Sequence, residues 1–295
     1  MVSSILSDIT TQLDPLSDTP ALHASVLVAH ILNKPRTWVM AHPESTLTGK
    51  QQKHLDDLLA RLSNGEPFPY VLGHWEFFGL DFDITPDVLI PRPETELLVE
   101  KAIAWLQETP VRRKVADVGT GSGIIAVSIA THVPEAQVLA TDTSPQALEV
   151  ARRNAHKFKV EEHIECIECD LLPPPQLLSQ GEMAAEGEAR VFDLICANLP
   201  YIPSETLRSL PIFGREPTLA LDGGTDGLDL IRRLMNLGSE YLAPQGRMLL
   251  EVEATRGKEA HKVAGAIFPE AKIHLHQDLA GQDRLLEIIL EPYAD

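Results

Sequence analysis

From Lys114 onward, short apolar runs alternate with helical stretches, and three glycines stand where the first run hands over to the first helix. Apolar runs bounded by turn residues fall at 115–118, 138–141, 164–167, 192–196 and 248–252, with two more at 272–275 and 285–290. Helical patterns occupy 124–130 and 145–157 between the first three. Strands separated by helices pair in parallel through crossover connections, which lay helices over both faces of the sheet. The expected class is α/β: a Rossmann-like, seven-stranded, mostly parallel sheet.

The first 72 residues carry a different pattern. Ile5, Ile9 and Leu13 recur at helical spacing. Thr19-Pro20 offers an N-cap and a proline at N1 ahead of an apolar stretch reaching Ile31 and Leu32. Thr48 is placed to cap a helix with Leu55, Leu58, Leu59 and Leu62 on one face and Gly65 at its C′ position. We therefore expect a small helical domain over 1–72, a linker over 73–93 holding a β-hairpin that turns near Gly79, and the α/β domain over 94–295. The helical part fits a packing element and a partner-docking module alike, and the two are compatible. Pro91-Arg-Pro-Glu-Thr-Glu96 leads into a helix through Trp105; Pro91, Arg92, Glu94 and Thr95 fit either the entrance of an active site or the cap of that helix, with Thr95 read as the cap and Arg92 left open. The polar stretch 173–188 reads as a surface insertion without chemistry.

Charge narrows the partners. Asp and Glu number 43 against 25 Lys and Arg, a net charge of −18. Affinity for a phosphate backbone needs a basic surface, so duplex DNA is not an expected substrate and a protein is easier to accommodate. No apolar run approaches the length of a membrane span. Residues 1–8 have no basic start and carry an early acid, so the chain is read as cytoplasmic; no membrane is expected as a partner, and the chain is expected to be a monomer. Cys166 and Cys169 have CxxC spacing, but no second pair accompanies them, and on a strand i and i+3 face opposite sides. They read as half-buried thiols. The histidines lack ligand spacing, and no metal is expected.

The glycine loop Gly119-Thr120-Gly121-Ser122-Gly123 follows the strand that ends in Asp117-Val118. Glycine there permits a tight turn and close backbone approach to a ligand. Asp142 ends the next strand, about twenty residues on, where a carboxylate can take both hydroxyls of a ribose. NAD and S-adenosyl-L-methionine share that logic. The spacing G-x-G-x-G favours the second, because a sulfonium needs no compensating cations, whereas pyrophosphate binders use G-x-G-x-x-G. Asp117 is placed to face the cofactor's ammonium end. Asp170-Leu171, after the third strand, falls where adenine is contacted in such folds, with Leu171 covering the ring.

About eighty residues beyond the glycines, Asn198-Leu199-Pro200-Tyr201 ends an apolar strand. The strand's carboxyl end should lie beside the glycine loop, where ligands gather in open α/β sheets. The Asn198 side-chain carbonyl and the Leu199 backbone carbonyl are two acceptors for the two N–H bonds of a planar NH2 group. Tyr201 can stack on its face. Such a clamp suits methylation of a conjugated nitrogen, whose lone pair is delocalised and must be oriented. Catalysis by Asn198 and Tyr201 would then be mainly orientation and electrostatic preorganisation.

On these residues the chain resembles the class I S-adenosylmethionine-dependent methyltransferases, and within them the HemK/PrmC-type protein-(glutamine-N5) methyltransferases. The resemblance extends to Pro69–Gly73, Phe77–Gly79, Val88–Glu96, Glu216-Pro217, Leu219–Gly224 with Asp226-Gly227, and Asp278–Gly281 with Asp283-Arg284. It implies that the substrate is the glutamine of the Gly-Gly-Gln loop of peptide chain release factors. It also implies that the N-terminal helices help dock that protein, that Gly119–Gly123, Asp142, Leu171 and Asn198 line the cofactor site, and that Asn198–Tyr201 hold the glutamine. Leu199 replaces the first proline of the family's Asn-Pro-Pro-Tyr, which loses a locked φ but keeps the backbone acceptor. Leu171 stands where an aromatic is frequent. Glu251-Val-Glu-Ala-Thr-Arg-Gly257 lacks a glycine and a glutamine common there, and no mechanism attaches to it at this level.

Three rival readings share some of these features. A glutamine methyltransferase acting on a ribosomal protein has the clamp but lacks the Arg92–Glu96 pattern. An adenine-N6 nucleic-acid methyltransferase would want a basic face and a target-recognition insertion. A non-catalytic cofactor-binding module would have lost Asn198 or Tyr201.

Overall fold

The computed structural model describes residues 1–174 and 192–291. The expected surface insertion lies, from residue 175 on, outside the described residues. The chain divides into two compact units, Met1–His74 and Trp75–Asp295.

The first unit is helical. Helix α1 (Val2–Leu13) packs on α2 (Pro20–Leu32), which also meets α3 (Arg36–Ala41) and α4 (Gly49–Ser63). Ile9, Leu13, Leu27, Val28, Leu55, Leu58 and Leu62 are buried. Thr48 caps α4 as expected, in a reciprocal box with Gln51, and Gly65 follows at φ 85°. Thr19 occupies the N-cap position of α2, but its side chain makes no cap. Arg61 joins α4 to α5 (Phe68–Leu72) by donating to the carbonyls of Val71 and Tyr70 at 3.2 and 3.0 Å while pairing with Glu66. Two short helices, α3 and α5, begin after prolines 35 and 67 and were not expected individually; they are too short to show a period.

Next in the chain comes the hairpin of β1 (His74–Phe77) and β2 (Leu80–Asp83). It turns through Phe78 and Gly79, both at positive φ. Helix α6 (Glu96–Glu108) precedes a seven-stranded sheet of order β5-β4-β3-β6-β7-β9-β8. Its strands are β3 (Lys114–Val118), β4 (Gln137–Asp142), β5 (Ile164–Glu168), β6 (Phe192–Ala197), β7 (Leu242–Glu251), β8 (Lys272–Gln277) and β9 (Asp283–Ile289). The five strands β5 to β7 pair in parallel, and β9 is antiparallel to both of its neighbours. The expected α/β class, with its Rossmann-like, mostly parallel sheet, is thus observed.

Helix α7 (Ile124–His132) packs between α6 and α8 (Pro145–Phe158). A short α9 (Ser204–Leu207) precedes α10 (Asp229–Tyr241) and α11 (Gly257–Ile267). Ala116 and Val118 of β3 share a core with α10 and α11. The alternate residue Asp117 points to the opposite face and accepts from the first turn of α7. Helices α10 and α11 were not among the expected elements, although Ile231, Leu234, Met235 and Gly238 carry the helical spacing and are buried. Strand β7 begins earlier than the expected 248. Gln245 adopts φ 61° and the register against β6 shifts, so a bulge carries the strand through residues that look like a turn.

The sheet order places the site. The chain runs outward from β3 through β4 to β5, then returns to β6 on the other side of β3. The crevice at the carboxyl ends of β3 and β6 is therefore the topological switch point, where open α/β sheets bind ligands.

Candidate active site

Val118 of β3 pairs with Ala197 of β6, so Gly119 and Asn198 leave neighbouring strand ends side by side. The N–H groups of Gly119 and Thr120 both donate to the Thr141 carbonyl at 2.8 Å. Gly119, Gly121 and Gly123 all have positive φ, at 72, 55 and 82°. A Cβ at Gly123 would lie 3.1 Å from Ala151 Cβ, which shows why α7 and α8 approach so closely here. A Cβ at Gly121 would meet nothing within 4 Å, because that residue borders open space.

That space is a cavity of about 530 Å³. Gly119, Thr120, Gly121, Ser122, Asp142, Leu171, Asn198, Leu199 and Pro200 line it, while Gly123 and Tyr201 do not. Asp142 accepts the Gly121 N–H at Oδ2 and the Ser144 N–H at Oδ1, each at 2.9 Å. Each carboxylate oxygen retains a lone pair for a further donor. Leu171 holds an unusual φ of 66°, and its carbonyl accepts the Thr141 hydroxyl at 2.6 Å. Asp170 pairs with Arg233 at 2.6 Å.

The donor set fits a nucleoside that carries no phosphate. The loop itself supplies only glycine, threonine and serine. The two arginines on the cavity wall are already neutralised: Arg233 by Asp170, and Arg92 by Glu216 at 2.6 Å. Asp117 lies wholly buried beneath the loop rather than on the cavity wall. Its Oδ2 accepts the Thr120 hydroxyl at 2.6 Å and the Ala126 N–H at 3.1 Å, while Oδ1 has no partner among the described residues. Burial pushes its pKa up to about 7. A buried carboxyl group with one oxygen short of a donor disfavours an anionic ligand overhead.

Asn154 of α8 backs the loop from the other side. It is fully buried, donates to the carbonyls of Ser122 and Asp83 at 2.8 and 3.0 Å, and accepts the Asp83 N–H at 2.8 Å. The sequence signal for it was a lone asparagine on the apolar face of α8.

On the clamp side, Asn198 donates from Nδ2 to the Thr95 hydroxyl oxygen at 3.0 Å. Thr95 does not cap α6. The 3₁₀ turn Pro93–Thr95 holds it at φ −67°, ψ −19°, a helical geometry in which the hydroxyl cannot reach back to the first N–H groups. Its hydroxyl donates instead to Glu251 Oε2 at 2.7 Å. The Tyr201 hydroxyl donates to Oε1 of the same carboxylate at 3.2 Å. Glu251 is thus a buried junction at the carboxyl end of β7, and sequence reasoning attached no role to it. Its signal was a carboxylate closing an apolar strand, Met248-Leu-Leu-Glu251.

The segment after the clamp supports its backbone. Ile202 donates to the Leu221 carbonyl at 3.1 Å and accepts the Gly223 N–H at 2.9 Å. A Cβ on Gly223 would fall 2.6 Å from Tyr201 Cα, and one on Gly227 would fall 2.3 Å from the Tyr201 carbonyl oxygen. Leu199 is buried, with Cδ2 2.9 Å from where a Gly119 Cβ would stand, so the side chain that replaces a proline joins clamp to cradle.

Comparison with known proteins gives two family matches: the PrmC N-terminal domain over residues 4–73 and ribosomal protein L11 methyltransferase (PrmA) over residues 97–202. The chain is 39% identical over 253 residues to a release factor glutamine methyltransferase of Koribacter versatilis (strain Ellin345), covering 84% of this chain and 85% of the relative. It is 35% identical over 287 residues to a release factor glutamine methyltransferase of Coxiella burnetii (strain RSA 493 / Nine Mile phase I), covering 97% of each. Among solved structures, the hMettl16 catalytic domain in complex with the MAT2A 3'UTR hairpin 6 matches with a TM-score of 0.52 at 14% identity, covering 84% of both chains. At that identity the likeness speaks to the fold alone.

Proposed function

Since this chain belongs to the release factor glutamine methyltransferases, we propose that the cavity between the glycine loop and Asn198–Tyr201 is where its reaction takes place. That reaction transfers a methyl group from S-adenosyl-L-methionine to the side-chain amide nitrogen, N5, of a release factor glutamine, the one in its GGQ motif. The observation that carries this placement is the pair of acceptors at the switch point. Among the described residues none donates to Asn198 Oδ1 or to the Leu199 carbonyl oxygen, and both residues wall the cavity.

Gly119–Gly123, Asp142 and Leu171 would hold the cofactor, with Asp142 on the ribose hydroxyls and Leu171 against the base. When bound, S-adenosylmethionine supplies a methyl already activated on a sulfonium, so the protein has only to prepare the nucleophile. Asn198 and Leu199 do so by accepting both N–H bonds of the glutamine amide. That aims the nitrogen and returns electron density to it. One N–H proton must leave as the N–C bond forms. The positive charge passes from sulfur to the methylated nitrogen, and that N-protonated amide is a strong acid, so it releases the proton to the acceptor it already touches and then to water. Pro200 walls the cavity, and we assign Tyr201, the next residue, to the face of the amide.

The docking role falls to residues 1–72, supported by the family match over 4–73. The partner is a release factor and not duplex DNA, in keeping with the net charge of −18. We place the enzyme in the cytoplasm as a monomer. Among the described residues, no helix is long and apolar enough to cross a membrane.

The test is transfer of labelled methyl from S-adenosylmethionine to unmodified release factor, with duplex DNA and purified ribosomal protein in parallel. Label on the release factor alone is expected. Label on the ribosomal protein or the DNA instead would overturn the substrate assignment.

A further inference from the structure

The clamp depends on which way round Asn198 stands. Its amide has an acceptor end and a donor end of nearly equal size, and only the carbonyl end can receive a glutamine N–H. If the amide were flipped, two NH2 groups would face each other across the cavity.

The surrounding hydrogen bonds settle the orientation. An ionised carboxylate accepts and cannot donate, so both hydroxyls on Glu251 must give it their protons. Thr95 then has no proton left, and its oxygen faces Asn198 at 3.0 Å as an acceptor only. The amide end turned toward Thr95 must be NH2, which leaves Oδ1 for the substrate. Glu251 and Thr95 are 1% and 0% exposed, so water cannot exchange for either partner.

We propose that Glu251 is a positioning residue: by taking the Thr95 hydroxyl proton it fixes Asn198 with its carbonyl toward the cavity, and by taking the Tyr201 hydroxyl proton it anchors the far end of the same clamp. This rests on the reading of the cavity as the site of glutamine methylation. The role belongs to the ionised form. A protonated Glu251 would donate to Thr95, free the threonine proton for Asn198, and allow the amide to turn over.

The charges around Glu251 bear on that protonation. Burial pushes its pKa up to about 7; the hydroxyls of Thr95 and Tyr201 and the Arg284 guanidinium oppose the rise, and Glu94 adds to it. Arg284 is held by Asp278 at 3.2 Å, and Asp278 also accepts the N–H groups of Ala280 and Gln282. The C-terminal turn Asp278–Arg284 therefore sets the one cation that favours the working form of Glu251 among the groups acting on it.

The experiment compares wild type with E251Q, T95V, T95S and the T95V/E251Q double variant. For each, kcat and KM toward release factor are measured from pH 5.5 to 9, together with calorimetric affinity for S-adenosylhomocysteine. Asn198 side-chain 15N resonances are followed in the same proteins. E251Q and T95V should lower kcat roughly 10- to 100-fold and leave the nucleoside affinity unchanged. T95S, which keeps the hydroxyl, should restore turnover. The double variant should fall no further than the worse single one, because both act through one chain of bonds. Wild-type kcat should decline as pH drops through about 7, and E251Q should lack that limb.

An E251Q enzyme with wild-type kcat, a T95S enzyme as slow as T95V, or losses shared equally with nucleoside affinity would overturn the proposal. Absence of methyl transfer by the wild type would defeat the functional reading instead. The orientation is then decided by the resonances alone. Slow solvent exchange of the Asn198 NH2 in wild type and T95S, but not in T95V, supports it, and fast exchange in the wild type overturns it.

Discussion

Gly223 shows how much of the clamp is decided by a missing side chain. Its Cβ would stand 2.6 Å from Tyr201 Cα and 2.7 Å from the Pro200 carbonyl oxygen, and both obstacles are backbone. Gly223→Ala must therefore move residues 200–201 by a sizeable part of an ångström, and displacements of that order cost about 100-fold in rate. The expected result is a large loss of kcat with S-adenosylhomocysteine affinity intact, because the glycine loop lies on other strands. Equal losses in both would show that the Asp222–Gly227 segment supports the whole cavity. The sequence displays these glycines but not their purpose, since the backbone they make room for is about twenty residues away.

At the scale of elements, the cradle was legible because its parts are local. A strand, a glycine turn, a helix and an acid at the end of the next strand follow one another within about thirty residues. Gly119–Ser122 and Asp142 all reach the cavity as that spacing implies. Thr95 shows the opposite case. Its place before a helix reads as a cap, yet its hydroxyl serves partners 103 and 156 residues away. No local pattern encodes such a bond; only the pairing of β6 with β7 and the seating of α6 bring the ends together. Asn154 is hidden for the same reason. Its three bonds cross from α8 to the glycine loop and to β2. Asn154→Ala strands one carbonyl of the loop and both backbone groups of Asp83, which should cost about 2–4 kcal/mol of unfolding free energy. Urea unfolding measures that loss, and calorimetry should show weaker nucleoside binding beside it. Unchanged binding would mean that the loop holds its shape without α8.

For the whole molecule, buried carboxylates set the response to pH. Burial pushes Asp117 and Glu251 up to about 7, well above their unfolded values. The folded state therefore holds protons that the unfolded chain has released, and stability falls as pH rises from about 4 through 7. Each group contributes on the order of 3–4 kcal/mol to that fall. In the other direction, Glu66 and Glu287 are held below the usual carboxylate range, by Arg61 and by His276 with Arg247 respectively. Their contribution is present above the unfolded values and disappears as pH falls below about 4. With a net charge of −18 adding self-repulsion near neutrality, the urea midpoint should peak near pH 5 and decline toward pH 8. E251Q should flatten the decline, gaining stability at pH 8 while it loses turnover. A midpoint that rises between pH 5 and 8 would contradict this balance.

The placement of the reaction at Asn198 is tested most directly by mapping the methyl group on a release factor treated with wild type and with Asn198→Ala. Tandem mass spectrometry should find one added methyl on the side-chain amide of the GGQ glutamine after wild-type treatment. It should find none after treatment with the variant, although the variant still binds S-adenosylhomocysteine. A methyl on any other residue, or equal modification by Asn198→Ala, would contradict the clamp.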